Sequence, residues 1–173
     1  MGRHLYPDQR FRVPFRAVNR RGAHGHDPAM QRHHLLPRQL LNRSCFGSMF
    51  AALGRERIGF DDFRINGMLL PSCEKAARRT ALPLHRGPHQ DYNAMVIDRV
   101  GDIEALWNIR RKSDCDAAGE DAIAGLRLLQ KTLRKQLLDE ARPIRLNRKD
   151  PAGQGIDFSE LDALADDLWA AAA

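Results

Sequence analysis

Two long apolar stripes at helical spacing constrain the fold of this chain more than any other feature. The first predicts a helix from about Pro88, a residue suited to the first helical position, to about Arg111. The second predicts a helix from about Glu120 to about Glu140, and Pro143 ends it. The stripe residues recur every three or four positions: Tyr92, Val96, Val100, Ile103 and Trp107, then Ile123, Leu126, Leu129, Leu133 and Leu137. Two helices of this length need a shared core, so the sequence predicts a predominantly helical fold.

Shorter elements surround these two helices. A capping box at Asp-Phe-Ser-Glu predicts a third helix from Asp157. Upstream, a short strand is expected over 32–36, and an Asn-Gly dipeptide at 66–67 predicts a tight turn into a strand at 68–70. The stretches CFGSMFAALG and SCEKAARRT predict short helices. The expected fold class is therefore α+β, mostly helical with a few short strands.

The composition indicates one domain without a membrane span. With 173 residues, 43% of them hydrophobic, the chain is long enough to bury a core. It has no run of about 18 apolar residues and no apolar stretch of a secretory signal near its start. Cys45, Cys73 and Cys115 are widely spaced, as in a protein of a reducing cytoplasm. We expect a cytoplasmic protein in the producing cell, and its delivery to other cells would require a route without a signal peptide.

Charge is unevenly distributed along the chain. Residues 1–112 hold 20 basic and 10 acidic side chains, whereas residues 150–173 hold six acids and no base. A basic body favours a polyanionic partner, most simply nucleic acid, although solubilising charge in an arginine-rich chain explains the same numbers. Residues 1–29 mix Arg, Pro, Gly and His without periodicity, and we interpret them as a basic arm whose arginines could follow a phosphate backbone.

Four of the seven histidines fall into two groups, and this is the main chemical signal in the chain. His33 and His34 are adjacent in QRHHLLP, and His85 and His89 flank Arg-Gly-Pro. Neutral imidazole is a common metal ligand and also a general base. Because neighbours on a strand point to opposite faces, His33 and His34 suit two roles, one as ligand and one as base. The alternative is that these histidines cap loops.

The motifs that contain these histidines resemble a known family. The chain reads RHHLLP at 32–37, NGMLLP at 66–71 and LPLHRGPHQDYN at 82–93. In order and spacing these motifs resemble the AHH nucleases, a branch of the HNH/endonuclease VII (His-Me finger) superfamily. The resemblance covers about residues 30–107. Arg32 departs from the family pattern, which usually has Ala before the paired histidines.

The resemblance implies a ββα-metal site and a role for each motif residue. His33 and His89 would be metal ligands, His85 would complete the ligand set, and His34 would activate water. Asn66 would fasten the loop that orients this base, and a simple turn-forming Asn is the equal alternative. The cofactor implied is one divalent ion: three imidazoles favour Zn²⁺ or another transition metal, whereas the superfamily often uses Mg²⁺.

Four arginines are candidates for substrate binding. Arg86 lies between two ligand candidates and could hold the scissile phosphate through its fork of donors. Arg78 and Arg79 could hold flanking phosphates, with a solvated helix face as the competing interpretation. Arg32, beside the paired histidines, could also contact phosphate.

Together these observations predict three regions and one main function. A basic arm at 1–29 precedes a ββα-metal nuclease domain at 30–112, and a helical extension at 113–173 packs on it. The function expected from the resemblance is a metal-dependent endonuclease that hydrolyses DNA with little sequence specificity. Because the family is often found as the toxin domain of bacterial polymorphic toxins, a bacterial toxin effector is the biological role that the resemblance suggests. DNA is favoured over RNA, and the expected partners are an acidic immunity protein and a second copy bound through the C-terminal helices. The alternatives are an RNase of the same fold and a non-catalytic binding module that keeps the metal site.

Overall fold

The computed structural model describes residues 12–139 together with Ala141, Ile144 and Leu146. It contains two strands, six α-helices and two short 3-10 helices in this part of the chain. In chain order these are the 3-10 helix Phe15–Ala17, β1 (Met30–His34), the 3-10 helix Arg38–Asn42, α1 (Ser44–Leu53), α2 (Arg55–Ile58), α3 (Phe63–Asn66), β2 (Gly67–Pro71), α4 (Glu74–Thr80), α5 (Gln90–Arg110) and α6 (Cys115–Leu137). The fold is mostly helical α+β, as predicted. The helix predicted from Asp157 lies outside the described residues.

The two strands form an antiparallel ribbon that carries the paired histidines. Met30 lies opposite Pro71 and His34 lies opposite Gly67. The strand predicted over 32–36 therefore begins and ends two residues earlier. Beyond His34 the chain stays beside Asn66, because the Leu35 N–H donates to the Asn66 carbonyl at 2.9 Å and the Leu36 N–H donates to the Asn66 side chain at 2.7 Å.

The Asn-Gly dipeptide does not form the predicted tight turn. Asn66 ends the single helical turn α3, which the Asp62 side chain caps by accepting from the Arg64 N–H, and β2 begins at Gly67. Gly67 has φ −116°, so its backbone is extended rather than left-handed. A Cβ at this position would lie 2.2 Å from the Phe63 ring. Glycine is needed here because the helix packs too closely against the strand for any side chain.

The two long helices predicted from the apolar stripes are present and pack against each other. α5 matches its predicted limits within two residues. α6 begins at Cys115, five residues before the predicted start, because the Asp114 side chain accepts from the Ala117 N–H and caps the helix there. The side chains of both stripes are buried except Ile123, which is partly buried against the same core.

Residues 12–29, predicted as part of a basic arm, lie against the ribbon and α3. The Phe63 N–H donates to the Val13 carbonyl at 2.7 Å, and the Val13 N–H donates to the Asp62 carboxylate at 3.2 Å. These bonds hold the segment beside the strand that carries the histidines. Among the described helices, none is both long and apolar enough to cross a membrane.

Candidate metal centre and its surroundings

Strand alternation divides β1 into two chemically different faces. Gln31 and His33 are two residues apart and share one face, and Arg32 and His34 share the other. His33 is 4% exposed and its ring lies beside those of His85 and His89. The His34 ring lies instead against Phe15.

Three histidines from separate elements form a compact cluster. His33 comes from β1, His85 from the loop before α5, and His89 from the N-cap of α5. The ring centroid of His33 lies 5.0 Å from that of His85 and 5.7 Å from that of His89, and the last two centroids are 4.5 Å apart. One nitrogen from each ring lies within 4.8 Å of the others. The backbone N–H of His85 donates to the Pro71 carbonyl at 2.7 Å, which fixes this loop to the end of β2. The structure therefore brings together all three residues predicted as metal ligands.

Hydrogen bonds orient two of these rings. His85 Nδ1 lies 3.1 Å from Gln31 Oε1, and His89 Nδ1 lies 3.3 Å from the Leu146 carbonyl oxygen. Both partners are oxygens that only accept hydrogen bonds, so each Nδ1 carries the proton and each Nε2 keeps its lone pair. An oxygen that orients the far side of an imidazole is the usual support of a histidine metal ligand.

Burial keeps the cluster uncharged. It lowers the pKa of His33 well below the ordinary value, with the neighbouring histidines adding to the effect. Burial likewise lowers the pKa of His85 to about 4 and lowers the pKa of His89. Neutral imidazoles present lone pairs, and His33 Nε2 is a buried nitrogen without a hydrogen-bond partner. A divalent ion bound by three imidazoles fits this donor set and would satisfy that nitrogen.

Hydrogen bonds from α5 and α3 hold the two residues that follow the paired histidines. The Tyr92 hydroxyl on α5 donates to the Leu35 carbonyl at 2.8 Å. Tyr92 is 0% exposed, which confirms its predicted place in the buried stripe of this helix. Asn66 binds the next residue, Leu36, and is also 0% exposed. Asn66 therefore acts on the loop after His34 from within the core.

The second face of β1 holds His34 between aromatic and basic groups. The Phe15 and His34 rings are parallel within 3°, with centroids 3.7 Å apart, and Phe63 meets Phe15 edge-on. Burial, assisted by Arg38 and Arg32 and opposed by Asp61, lowers the pKa of His34 to about 4. Within the described part of the chain, the His34 ring nitrogens have no hydrogen-bond partner. A neutral imidazole with an unengaged lone pair is the form that accepts a proton.

The four arginines predicted to bind substrate differ in their surroundings. Arg86 is exposed between His85 and His89, and Arg78 is exposed on α4. Arg79 is paired with Asp27 at 2.7 Å, so its charge is partly neutralised. Arg32 donates from Nη1 to the Phe15 carbonyl at 2.8 Å, and this bond ties down the segment that stacks on His34.

Sequence reasoning missed three residues that complete the site. Gln31 could have been found, because it stands two positions before His33 and so shares its strand face. Phe15 and Gln130 gave no such signal, since Phe15 lies in an aperiodic segment and Gln130 occupies one polar position of an amphipathic helix. Gln130 Nε2 donates to Asn66 Oδ1 at 3.2 Å, which connects α6 to the loop after His34.

Comparison with known proteins yields one match. A family model described as AHH, a nuclease family of the HNH/ENDO VII superfamily with conserved AHH, matches residues 15–135. The match covers well over half of the chain and extends beyond residues 30–107 in both directions. No curated protein and no solved structure matches the chain. The paired histidines stand here as His33 and His34, preceded by Arg32.

Proposed function

Because the chain belongs to the AHH family, a nuclease family of the HNH/ENDO VII superfamily, we propose that it is a metal-dependent endonuclease that hydrolyses DNA phosphodiester bonds with little sequence preference. The observation that carries the proposal is the cluster of His33, His85 and His89, whose nitrogens converge within 4.8 Å. Two of these rings are oriented by oxygen acceptors and the third has a buried, unpartnered nitrogen.

In this proposal His33, His85 and His89 hold one divalent ion. Such an ion supplies charge neutralisation at the phosphate oxygens and at the departing oxygen. Three neutral imidazoles favour Zn²⁺ or another transition ion, and the superfamily resemblance makes Mg²⁺ the competing candidate. Low pKa values of the ligand histidines support binding at neutral pH, since no proton has to be displaced from the nitrogens that face the centre.

His34 is the proposed general base. It stands at the end of β1, next to the proposed ligand His33, and a positive charge on its ring lowers the pKa of His85. Its neutral imidazole takes a proton from the attacking water, and the hydroxide so formed attacks the phosphorus while the bond from phosphorus to the departing 3′ oxygen breaks. β1, β2 and the start of α5 would then correspond to the ββα-metal arrangement of the superfamily.

Phe15, Arg32 and Asn66 are proposed to position this base. The Phe15 ring covers one face of His34 and leaves the edge, where the nitrogens lie, for proton transfer. Arg32 holds the Phe15 backbone, and Asn66 holds the loop that follows His34. The arginine that departs from the family's Ala-His-His pattern thus gains a role on the base side of the strand.

Phe15→Leu tests this positioning role. Loss of the aromatic plane should lower kcat by up to about tenfold and leave KM unchanged, because a ring pair contributes about 0.5–1.5 kcal/mol. Phe15→Tyr keeps the plane and should restore kcat. Equal kcat in all three proteins would exclude a contribution of the stack to catalysis.

A plasmid-nicking assay tests the main proposal. Supercoiled DNA is incubated with the protein and Mg²⁺, Mn²⁺, Ni²⁺ or Zn²⁺, with EDTA as the control. Cleavage should require a metal and should fall by about 10²–10⁴ in His34→Ala, the range for loss of a general base. Unimpaired cleavage by His34→Ala would refute the assigned base.

Further experiments distinguish the substrate classes and the biological context. Parallel digestion of a structured RNA distinguishes a DNase from an RNase of the same fold. Salt-sensitive DNA binding without cleavage under any metal would indicate a non-catalytic binding module. Toxicity on expression, relieved by an acidic protein encoded beside it, would support a toxin effector with an immunity partner, and a concentration-dependent mass would support a dimer through the C-terminal helices.

A further inference from the structure

A basic concavity lies beside β1, next to the candidate metal centre. Arg16, Arg20, Arg21 and Arg32 line it together with Asn19 and Gln31. We propose that this concavity binds the sugar-phosphate backbone of the substrate strand on one side of the scissile bond. The inference rests on the proposed function in one respect, that the substrate is a nucleic acid.

The side chain of Asn19 fixes the loop that lines the concavity. Asn19 adopts a left-handed conformation with φ 46°, and its amide nitrogen donates to the carbonyls of Asp27 and Met30 at 2.9 and 2.8 Å. Its side-chain oxygen accepts from the Asp27 N–H at 2.8 Å. The loop that carries Arg20 and Arg21 is therefore tied to the start of β1. A preorganised loop loses less conformational entropy when it binds a ligand.

Within the part of the chain that the structure describes, no acidic side chain is paired with the arginines of this concavity. Arg16, Arg20 and Arg21 are exposed, and none of them has a carboxylate partner within the described ranges. The nearby Asp27 is paired with Arg79 instead. Elsewhere, exposed arginines such as Arg55 and Arg110 are paired with acids. Guanidinium groups that have no acidic partner among the described residues favour a polyanion, and their planar forks match phosphate oxygens.

The position of the concavity points to a polymer that continues to the metal centre. Gln31 lines the concavity and also contacts His85 of the cluster at 3.1 Å. Arg32 lies between Gln31 and the ligand His33 along the same strand. The open volume of about 570 Å³ is well above that of a single small anion and falls in the range that holds larger ligands. A backbone bound here would lead directly to the three histidines.

Salt dependence of DNA binding tests the proposal. The test variant carries Arg16→Gln, Arg20→Gln and Arg21→Gln, and a matched control carries Arg43→Gln, Lys112→Gln and Lys131→Gln, three exposed bases away from the concavity with the same change in net charge. Both are made in a His34→Ala background, and binding of a labelled duplex is followed by fluorescence anisotropy from low to high salt without added metal.

The test variant should bind at least about tenfold more weakly at low salt. Its slope of log K against log salt should fall by about two to three, since each lost phosphate contact removes about 0.9 from that slope. The control should change both quantities much less. Equal effects of the two triple variants would overturn the proposal, because binding would then depend on net charge and not on this concavity.

A second measurement separates this inference from the proposed function. With His34 retained, the three arginine substitutions should raise KM for plasmid cleavage and leave kcat within about twofold. If the natural protein cleaves no nucleic acid under any metal, the proposed function fails while the binding comparison still reports on the concavity. Reduced binding of poly-glutamate together with unchanged DNA binding would overturn the proposal in favour of an acidic protein partner.

Discussion

Asn66 and His33 are both buried polar side chains, and they are satisfied in opposite ways. Asn66 Oδ1 accepts from the Leu36 N–H and from Gln130, and its Nδ2 donates to the carbonyls of Phe60 and Leu36. His33 Nε2 is equally inaccessible and has no hydrogen-bond partner. A buried polar atom without a partner costs free energy, and a bound ion is one way to recover that cost. The comparison distinguishes a residue that holds the site together from a residue that we propose holds a metal ion within it.

The largest effect should follow from removing the unsatisfied nitrogen. His33→Leu deletes the lone pair and fills much of the same space, so metal-dependent cleavage should fall by about 10⁴-fold, the equivalent of several kcal/mol of lost charge stabilisation. The melting temperature of the metal-free protein should not fall, because a desolvated polar atom has been replaced by an apolar group. Plasmid nicking and thermal denaturation in EDTA measure the two quantities. Retained cleavage would show that His33 is not a ligand.

Removal of the fully hydrogen-bonded Asn66 side chain should mainly lower the free energy of unfolding. Asn66→Ala leaves the Leu36 N–H and the Phe60 carbonyl buried without partners, at about 1–3 kcal/mol for each. We expect the free energy of unfolding to fall by about 3 kcal/mol in urea titrations, which corresponds to more than a hundredfold in the folding equilibrium. Asn42→Ala, at an exposed position, is the control. A stable Asn66→Ala protein with no activity would instead make Asn66 part of the chemistry.

Substitution of Gln31, which contacts the His85 ring, should give a smaller effect. Gln31→Leu removes the acceptor of the His85 Nδ1 proton, so the His85 ring loses its fixed tautomer. Metal affinity should fall by about 10–100-fold, the usual cost of losing such a supporting partner. Isothermal titration with Zn²⁺ measures the change, and Gln39→Leu, an exposed glutamine outside the site, is the control. Unchanged affinity would mean that the ring is oriented by other groups.

The stability of the metal-free protein should also depend on pH. His33, His34, His85 and His89 all have folded pKa values below the ordinary 6.5, two of them about 4. Below about pH 6.5 the unfolded chain binds protons that the folded protein does not, so stability falls as pH decreases toward 4. Melting temperatures in EDTA between pH 7.5 and 4.5 should show this decline. Asp27 and Asp62 cannot cause it, because their lowered pKa values act below 3.8. A flat profile would contradict the burial of the cluster.

The sequence predicted the elements that depend on local periodicity. The apolar stripes of α5 and α6 repeat over many residues, and the histidine motifs have characteristic spacing, so both were visible without a structure. The prediction of an Asn-Gly turn was wrong. Glycine is required at position 67 because of its close contact with Phe63, and not because of a positive φ. The stack of Phe15 on His34 and the bond from Gln130 to Asn66 join distant segments through single contacts, which leave no period in the sequence. The metal ligation, the base and the domain limits at 29/30 and 112/113 remain predictions.

The contacts of Leu146 and Gln130 determine how late in synthesis the histidine cluster and the loop after His34 can be fixed in place. The Leu146 carbonyl that orients His89 lies 57 residues further along the chain, and Gln130 lies 64 residues beyond Asn66. Chains emerge from the ribosome amino end first, and contacts between distant residues form late. A nascent chain that has exposed both histidine motifs therefore still lacks the parts that fix them. The order of translation therefore delays the assembly of the complete three-histidine cluster until nearly the whole described chain has been made.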